Sequence, residues 1–324
     1  MKSDKNSTRL QYSKEIDSQV EKAVSKILNQ QISSSSRIEE GEFNYVYRVK
    51  TEDKEVVARV FSHPTFPAAD KMKWIDEQLR AQNVPHSALL YCSKDDAFFP
   101  YGFMISEFIE GENGMKAIKS GQISPADFFE LLGTLLRKVH SAKLKHYGTI
   151  ENGDGSKSNL IDFYLEEAEN ALNHASVKGD FGPNVYTQLK EKVNHLMRPL
   201  EKTFEPTLVH TDATPDNTIL TPQGELVLVD WDGAQSSIWV ADLAIITYSG
   251  AHLSYLGPLE QRQKTIREAF LKGYGPTIYT PDELNNLETA LHIIRACTLL
   301  PYYAAYQNNS DAYQVTKKKL LILI

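Results

Sequence analysis

Cysteine is almost missing from this chain: there are two among 324 residues, Cys92 and Cys297. Two thiols build neither a disulfide framework nor a thiolate metal site, and a reducing cytoplasm suits them. Long apolar runs are missing too. The N-terminal stretch is polar and charged, without an apolar segment of signal-peptide length. The apolar run at 320–324 falls far short of the ~20 residues that span a bilayer. The expectation is a soluble, cytoplasmic protein with no membrane partner. A basic excess is the third absence. Lys and Arg number 35 against 42 Asp and Glu, a formal charge of -7, which argues against nucleic acid as a partner. There is also no internal repeat, no Walker-type loop and no Gly-x-Ser-x-Gly elbow. His140, His146, His174, His195, His252 and His292 lack the close spacing of a zinc site.

What remains is ordinary globular composition, 41% hydrophobic and 24% charged, in a chain long enough for two packed lobes. Ile16, Val20, Val24, Ile27 and Leu28 recur at helical spacing, so a leading helix is expected over 13–32, ended by the polar cluster Ser33 to Ser36. Short β-type runs follow at 43–49 and 56–61, around the turn Thr51-Glu-Asp-Lys54. A helix is expected over about 67–82, then strands near 88–92 and 98–108. Glu110-Gly-Glu-Asn-Gly114 reads as a hinge. This divides the chain into an N-terminal lobe, 1–109, and a helical C-terminal lobe, 110–324.

In the second part Ser124 caps a helix with Pro125 at its first position. That helix presents Phe128, Leu131, Leu132, Leu135, Leu136 and Val139 on one face. Further helices are expected over 160–172, 185–197, 259–274 and 282–303. Between them lies a β-like island, 207–229, with the turn Pro222-Gln-Gly224.

The island carries the chemistry. Reduced to polar groups it reads His210-x-Asp212-x-x-x-x-Asn217, and an apolar strand then ends in Asp230-Trp-Asp232. Phosphoryl transfer needs such a set: one carboxylate to orient the attacking hydroxyl and take its proton, and an amide oxygen with a second carboxylate to hold Mg²⁺ against nucleotide phosphates. The bland alternative makes Asp216-Asn217 a turn and Asp230 a strand-end acid. It does not explain the strand before the motif or the spacing after it.

These residues resemble the signature of the aminoglycoside phosphotransferase and choline kinase family: His210 to Asn217, then Asp230-Trp-Asp232, then Asp242-Leu-Ala244. Leu136-Arg-Lys-Val-His140 resembles a helix of that family ending in Leu-His, with Val139 in place of Leu. The likeness is sharp between residues 208 and 244 and weaker from Arg37 to Tyr303. It implies an α+β, two-lobed protein-kinase-like fold, with a small antiparallel sheet in the N-lobe and a mainly helical C-lobe. It also implies Asp212 as catalytic base, Asn217 and Asp230 as metal ligands, and Asp242 as a brace for the loop. His210 is expected to be structural.

On the nucleotide side, the loop 40–47 stands where a kinase-like hairpin would cover phosphates, with Gly41 and Asn44 as the candidate contacts. Arg59 occupies the place of a phosphate-binding cation; a guanidinium binds phosphate bidentately and stays charged. A Glu on the next helix normally pairs with that cation, and Glu77 is the choice among Asp70, Asp76 and Glu77. Backbone groups of Ser106, Glu107 and Phe108 would meet the purine.

The expected enzyme is a small-molecule kinase using ATP or GTP with Mg²⁺, its partners being the nucleoside triphosphate and a small hydroxyl-bearing substrate. An aminoglycoside-type antibiotic is the first choice of acceptor. A metabolic choline or amino-alcohol, sugar or amino-acid kinase is the alternative. The acceptor site would fall within about 250–309, where acids are scattered (Glu260, Glu268, Asp282, Glu283, Glu288). A catalytically inactive kinase-like binding module would be marked by loss of Asp212, Asn217 or Asp230, and all three are present.

Overall fold

The computed structural model describes residues 10, 12–38, 44–64, 68–94, 96–249, 258–306 and 309–324. The chain folds into two compact units, Met1–Lys116 with Asn217–Asp232, and Ala117–Asp216 with Gly233–Ile324. The division is not a single cut. The segment Asn217–Asp232 leaves the second unit to pack with the first, because its hairpin pairs by backbone with a short strand there.

The first unit begins with α1 (Lys14–Leu28), whose face Ile16, Val20, Ala23 and Val24 is buried. Asn29 in the left-handed conformation (φ 54) ends it, short of the expected 32. The strand β1 (Ile32–Ile38) then includes the Ser33 to Ser36 cluster that the sequence reading places between elements. β1 is an edge strand with most side chains exposed. Its serines need only pair by backbone, so hydrophobic alternation never marks it. β2 (Asn44–Thr51), β3 (Glu55–Phe61), β4 (Leu89–Ser93) and β5 (Phe103–Glu107) complete an antiparallel sheet in the order β1-β2-β3-β5-β4. Val56, Ala58 and Val60 of β3 point into a core shared with α1, so the alternate residue Arg59 projects from the other face. The helix α2 (Ala69–Ala81) buries Met72, Ile75 and Leu79. The expected hinge holds a two-residue strand, β6 (Glu112–Asn113), followed by α3 (Gly114–Ser120).

The second unit is mainly helical. α4 (Pro125–Val139) starts at the expected cap, with the Ser124 side chain accepting from the Asp127 N–H. It continues with β7 (Tyr147–Glu151), β8 (Asp154–Lys157), α5 (Leu160–Asn173), α6 (Val185–Met197) and β9 (Thr207–Val209). β10 (Thr218–Leu220) and β11 (Leu226–Leu228) belong to the first unit. β12 (Gln235–Ser237), α7 (Val240–Ser249), α8 (Leu259–Tyr274), α9 (Pro281–Pro301) and α10 (Ser310–Leu323) finish the second. Four of its strands form a small sheet in the order β8-β7-β12-β9. α9 opens with a reciprocal capping box between Thr280 and Glu283 and crosses the middle of the unit's core.

Two glycines set how near α4 and α8 come. A Cβ on Gly133 would overlap the Phe270 carbonyl, and one on Gly273 would overlap the Glu130 carbonyl. The backbones therefore touch where any side chain would wedge them apart. Gly273→Ala is expected to cost about 1–3 kcal/mol by overpacking in urea unfolding. Gly182→Ala, with nothing within 4 Å of the added Cβ, should stay within about 0.5 kcal/mol of wild type. Equal stabilities for the two variants would refute this reading of the α4–α8 contact.

Candidate active site

In the first unit, local pairing explains the thirteen-residue interval between Asn217 and Asp230. β10 and β11 pair antiparallel with Thr218 opposite Leu228, and the Val229 N–H donates to the Asn217 carbonyl at 3.0 Å. Both residues therefore leave the hairpin at the same end. β6 zips onto the other edge of β10, Asn113 opposite Ile219. Asp230 adopts φ 65, a left-handed conformation that disfavours a side-chain-bearing residue. Such strain persists only where surrounding contacts enforce it.

The contact that dominates this end is an ion pair. Arg59 donates through Nη2 to Asp232 at 2.6 Å and through Nη1 to the other carboxylate oxygen at 3.1 Å. Its Nη2 also lies 3.4 Å from Asp230. The Asp232 side chain is 7% exposed while that of Asp230 is 52% exposed, so one carboxylate anchors the guanidinium and the other stands open. Burial disfavours the Arg59 charge, but Asp232 and then Asp230 outweigh it and hold its pKa above the ordinary value. From α2, Lys71 Nζ donates to the Asp232 carbonyl at 2.7 Å. Burial pushes the Lys71 ammonium down to about 8, with Asp232 pulling the other way. Asn44 is buried at the start of β2 and donates to Asp232 at 3.1 Å.

In the second unit, one carboxylate organises the loop that carries Asp212. Asp242, in the first turn of α7, is fully buried. It accepts from the N–H groups of His210 at 2.9 Å and Thr211 at 2.7 Å, and meets His140 Nε2 at 3.0 Å. The other His140 nitrogen contacts the Tyr274 hydroxyl at 3.1 Å. Thr211 takes φ 66, a real outlier for a β-branched residue. Its N–H is held by Asp242, and its hydroxyl donates to the Gly233 carbonyl at 2.8 Å. Buried His210 accepts from the Asp212 N–H at 3.3 Å, and the Asp212 side chain is 48% exposed. Burial raises the Asp242 pKa, but the hydrogen bonds it receives from the His140 side chain and the His210 backbone N–H help outweigh it, so its carboxyl titrates below the ordinary range.

Beside this loop is a cavity of about 180 Å³, bordered by Thr211, Phe163, Glu167, Leu291, Ile294 and Arg295. Arg295, from α9, has Nη2 3.9 Å from an Asp212 oxygen, and its side chain is 30% exposed. Its buried Nε has no hydrogen-bond partner among the described residues.

Gly41 lies outside the described residues. Glu77 is exposed on α2, and the carboxylates at Arg59 are Asp232 and Asp230 instead. The buried face Met72, Ile75 and Leu79 turns Glu77 away from the core. Ser106 is paired within the sheet, opposite Val57 and Leu89. The Glu107 N–H donates to Ala88 and the Phe108 N–H to Glu55, while the Glu107 carbonyl accepts from Ser87. The Glu107 and Phe108 amides, two of the groups expected to meet a purine, are thus engaged within the protein. Asp232, Lys71 and Arg295 were not singled out by the sequence reading. Only Asp232 had a local signal, its place in Asp230-Trp-Asp232.

Asn217 and Asp230 would offer oxygen donors to a metal, the set that suits a hard cation such as Mg²⁺. Among the described residues no group of three or more His, Cys, Asp or Glu is arranged to hold a metal ion. No helix among the described residues is long and apolar enough to cross a membrane.

Comparison with known proteins gives the family and the fold. A family model described as the phosphotransferase enzyme family matches residues 34–285. Among solved structures, the chain is similar to a thermostable mutant of aminoglycoside phosphotransferase APH(4)-Ia in ternary complex with AMP-PNP and hygromycin B. The TM-score is 0.68 at 15% identity, over 94% of this chain and 97% of that one. Choline kinase LicA from Streptococcus pneumoniae matches with TM-score 0.64 and 17% identity, over 95% of this chain and 99% of that one. Spectinomycin phosphotransferase APH(9)-Ia, in complex with ADP and spectinomycin, matches with TM-score 0.61 and 13% identity, over 93% of each chain. No match was found among curated proteins. The likeness establishes a kinase-like α+β fold.

Because the Asp242 pKa is lowered on folding, its contribution is present above the unfolded carboxyl pKa and is lost as pH falls through the folded one. Asp242→Asn should therefore cost about 3 kcal/mol at neutral pH and lose less further stability than wild type on acidification below about pH 4. Chemical denaturation across that range is the check; parallel pH profiles would exclude the role.

Proposed function

The chain belongs to the phosphotransferase enzyme family, and from that premise we propose that it moves the γ-phosphoryl group of ATP or GTP to the hydroxyl of a small molecule. Its enzyme class is a phosphotransferase with an alcohol group as acceptor. The observation that carries the reading is the Arg59–Asp232 pair with open Asp230 beside it and Asn217 at the same hairpin end. This gives the first unit phosphate-binding cations, Arg59 and Lys71, next to oxygen donors for Mg²⁺. The solved relatives bound to AMP-PNP and ADP support a nucleotide co-substrate.

Each residue then has a role set by its surroundings. Asn217 and Asp230 hold Mg²⁺, which when bound neutralises phosphate charge. Asp232 and Asn44 fix the Arg59 fork so that it can act on phosphate oxygens without being reordered. Lys71 adds a second cation, whose depressed pKa a bound polyphosphate would raise again. With the Phe108 amide engaged, the Ile109 N–H, which has no hydrogen-bond partner among the described residues, takes over as the donor to the purine. Asp212 accepts the acceptor's hydroxyl proton as the new O–P bond forms and the bond to the leaving nucleoside diphosphate breaks. His210 and Asp242 keep the Asp212 backbone in place.

For the acceptor, the relatives bound to hygromycin B and spectinomycin support an aminoglycoside-type antibiotic, and the choline kinase supports a metabolic alcohol. The cavity favours the second. Its volume is below the ~300–1,000 Å³ of sites for drug-sized ligands, and Glu167 is the one acid among the residues bordering it.

Asp212→Asn is expected to lower kcat by at least ~10²-fold while Mg²⁺-dependent nucleotide binding persists. Turnover within about fivefold of wild type would remove Asp212 from the role of base. Asp230→Ala is expected to abolish the ~2.7 kcal/mol of stabilisation that nucleotide with Mg²⁺ gives at a hundred times its Kd, read by thermal unfolding. Undiminished stabilisation in that variant would exclude Asp230 as a ligand.

A further inference from the structure

The cavity beside Asp212 has a charge pattern that a site for a polycation would not have. Its cation is Arg295, and the protein does little to neutralise it. The ion pair with Asp212, at 3.9 Å, lies beyond hydrogen-bond reach, and the buried Nε is without a hydrogen-bond partner among the described residues. A partly buried guanidinium normally has its donors matched, because an unmatched one costs the desolvation of the group. Arg59 and Arg267 also leave one buried guanidinium nitrogen unmatched among the described residues, but each holds a carboxylate close, Asp232 at 2.6 Å and Glu288 at 2.5 Å, whereas the carboxylate paired with Arg295 stands at 3.9 Å. Glu167 does not serve Arg295, since no ion pair joins them among the described residues. Burial and the nearby Glu166 instead make the Glu167 carboxylate less favourable, raising its pKa.

We propose that the acceptor is a small hydroxy acid whose anionic group binds Arg295 while its hydroxyl meets Asp212. The inference rests on the kinase reading and narrows it. A guanidinium presents five donors in a fixed fork, so it can accept a carboxylate or similar oxyanion bidentately while one nitrogen stays near Asp212. Because Arg295 and Asp212 are 3.9 Å apart, the hydroxyl and the acid group of the substrate are separated by only two or three carbons. Phe163, Leu291 and Ile294 supply an apolar wall for a short hydrocarbon body. An ammonium in the same place would face Arg295 directly, and like-charge juxtaposition selects against it.

The test uses three matched series on the full chain: 3-hydroxyalkanoates of four to six carbons, their amides, and the corresponding 3-hydroxyalkylamines. Choline and hygromycin B serve as cationic comparators. Nucleotide turnover is measured for each, and Mg²⁺-dependent nucleotide stabilisation is followed separately by thermal unfolding. The expected result is a kcat/KM at least about tenfold higher for the acids than for amides or amines, equivalent to about 1.4 kcal/mol. Arg295→Met should reduce that preference to under about threefold, chiefly through KM, and Arg295→Lys should restore part of it. Nucleotide stabilisation should be unchanged in both variants.

Preference for the amines or the cationic comparators would overturn the assignment. So would an Arg295→Met variant that lowers kcat equally for all three series, which would mean that Arg295 only positions Asp212. Nucleotide stabilisation without turnover of any acid overturns the inference and leaves the kinase reading standing. Absence of nucleotide stabilisation in wild type overturns both.

Discussion

A single buried carboxylate holds the second unit's Asp212 loop in place. Asp242 binds two successive backbone N–H groups, those of His210 and Thr211, and the imidazole at the end of α4. With no water to compete, each of these donors would be costly to leave unmatched. This one side chain therefore fixes the left-handed turn at Thr211, and with it the point at which Asp212 leaves the backbone. Its location in the first turn of α7 also suits an anion. The His140–Tyr274 contact extends the same network to α8, where the glycine contact with α4 already leaves no slack.

The first unit solves a similar problem with a different pair. A cation able to bind phosphate must be buried enough to be rigid, yet not consumed by its own partner. Asp232 takes the Arg59 fork and, with the Asn44 amide, holds its geometry, while Asp230 stays half open. The backbone strain at Asp230 matches that at Thr211. Both lie at the ends of short strands in the signature segment, where strain is maintained by contacts around it rather than by local preference. The contrast with Arg295 is one of distance: Asp232 meets the Arg59 fork at 2.6 Å, whereas Asp212 stands 3.9 Å from Arg295.

Much of the fold was legible because its signals are local. The Ser124 cap, the apolar face of α4 and the extent of α6 and α8 follow from spacing within a few turns. One strand left no such trace. β1 is an exposed edge strand of serines and shows no apolar period. The same divide separates the candidate site residues. Asp212, Asn217, Asp230 and Asp242 stand out in one short segment. Asp232 as the partner of Arg59, Lys71 as a second cation and Arg295 beside Asp212 do not, and Glu77 looked plausible only because helix position alone cannot say which face turns inward.

The sequence by itself thus determined the family, the signature residues and the hairpin that brings Asn217 and Asp230 to one end, since hairpin register is set by nearby residues. Tertiary structure decided which carboxylate anchors Arg59, which amides near Phe108 are already engaged, and which cation borders the cavity. Those are pairings between residues as far as 173 positions apart, and they depend on how whole elements pack. Packing at that range imposes no spacing on the chain, so no pattern in the sequence records it.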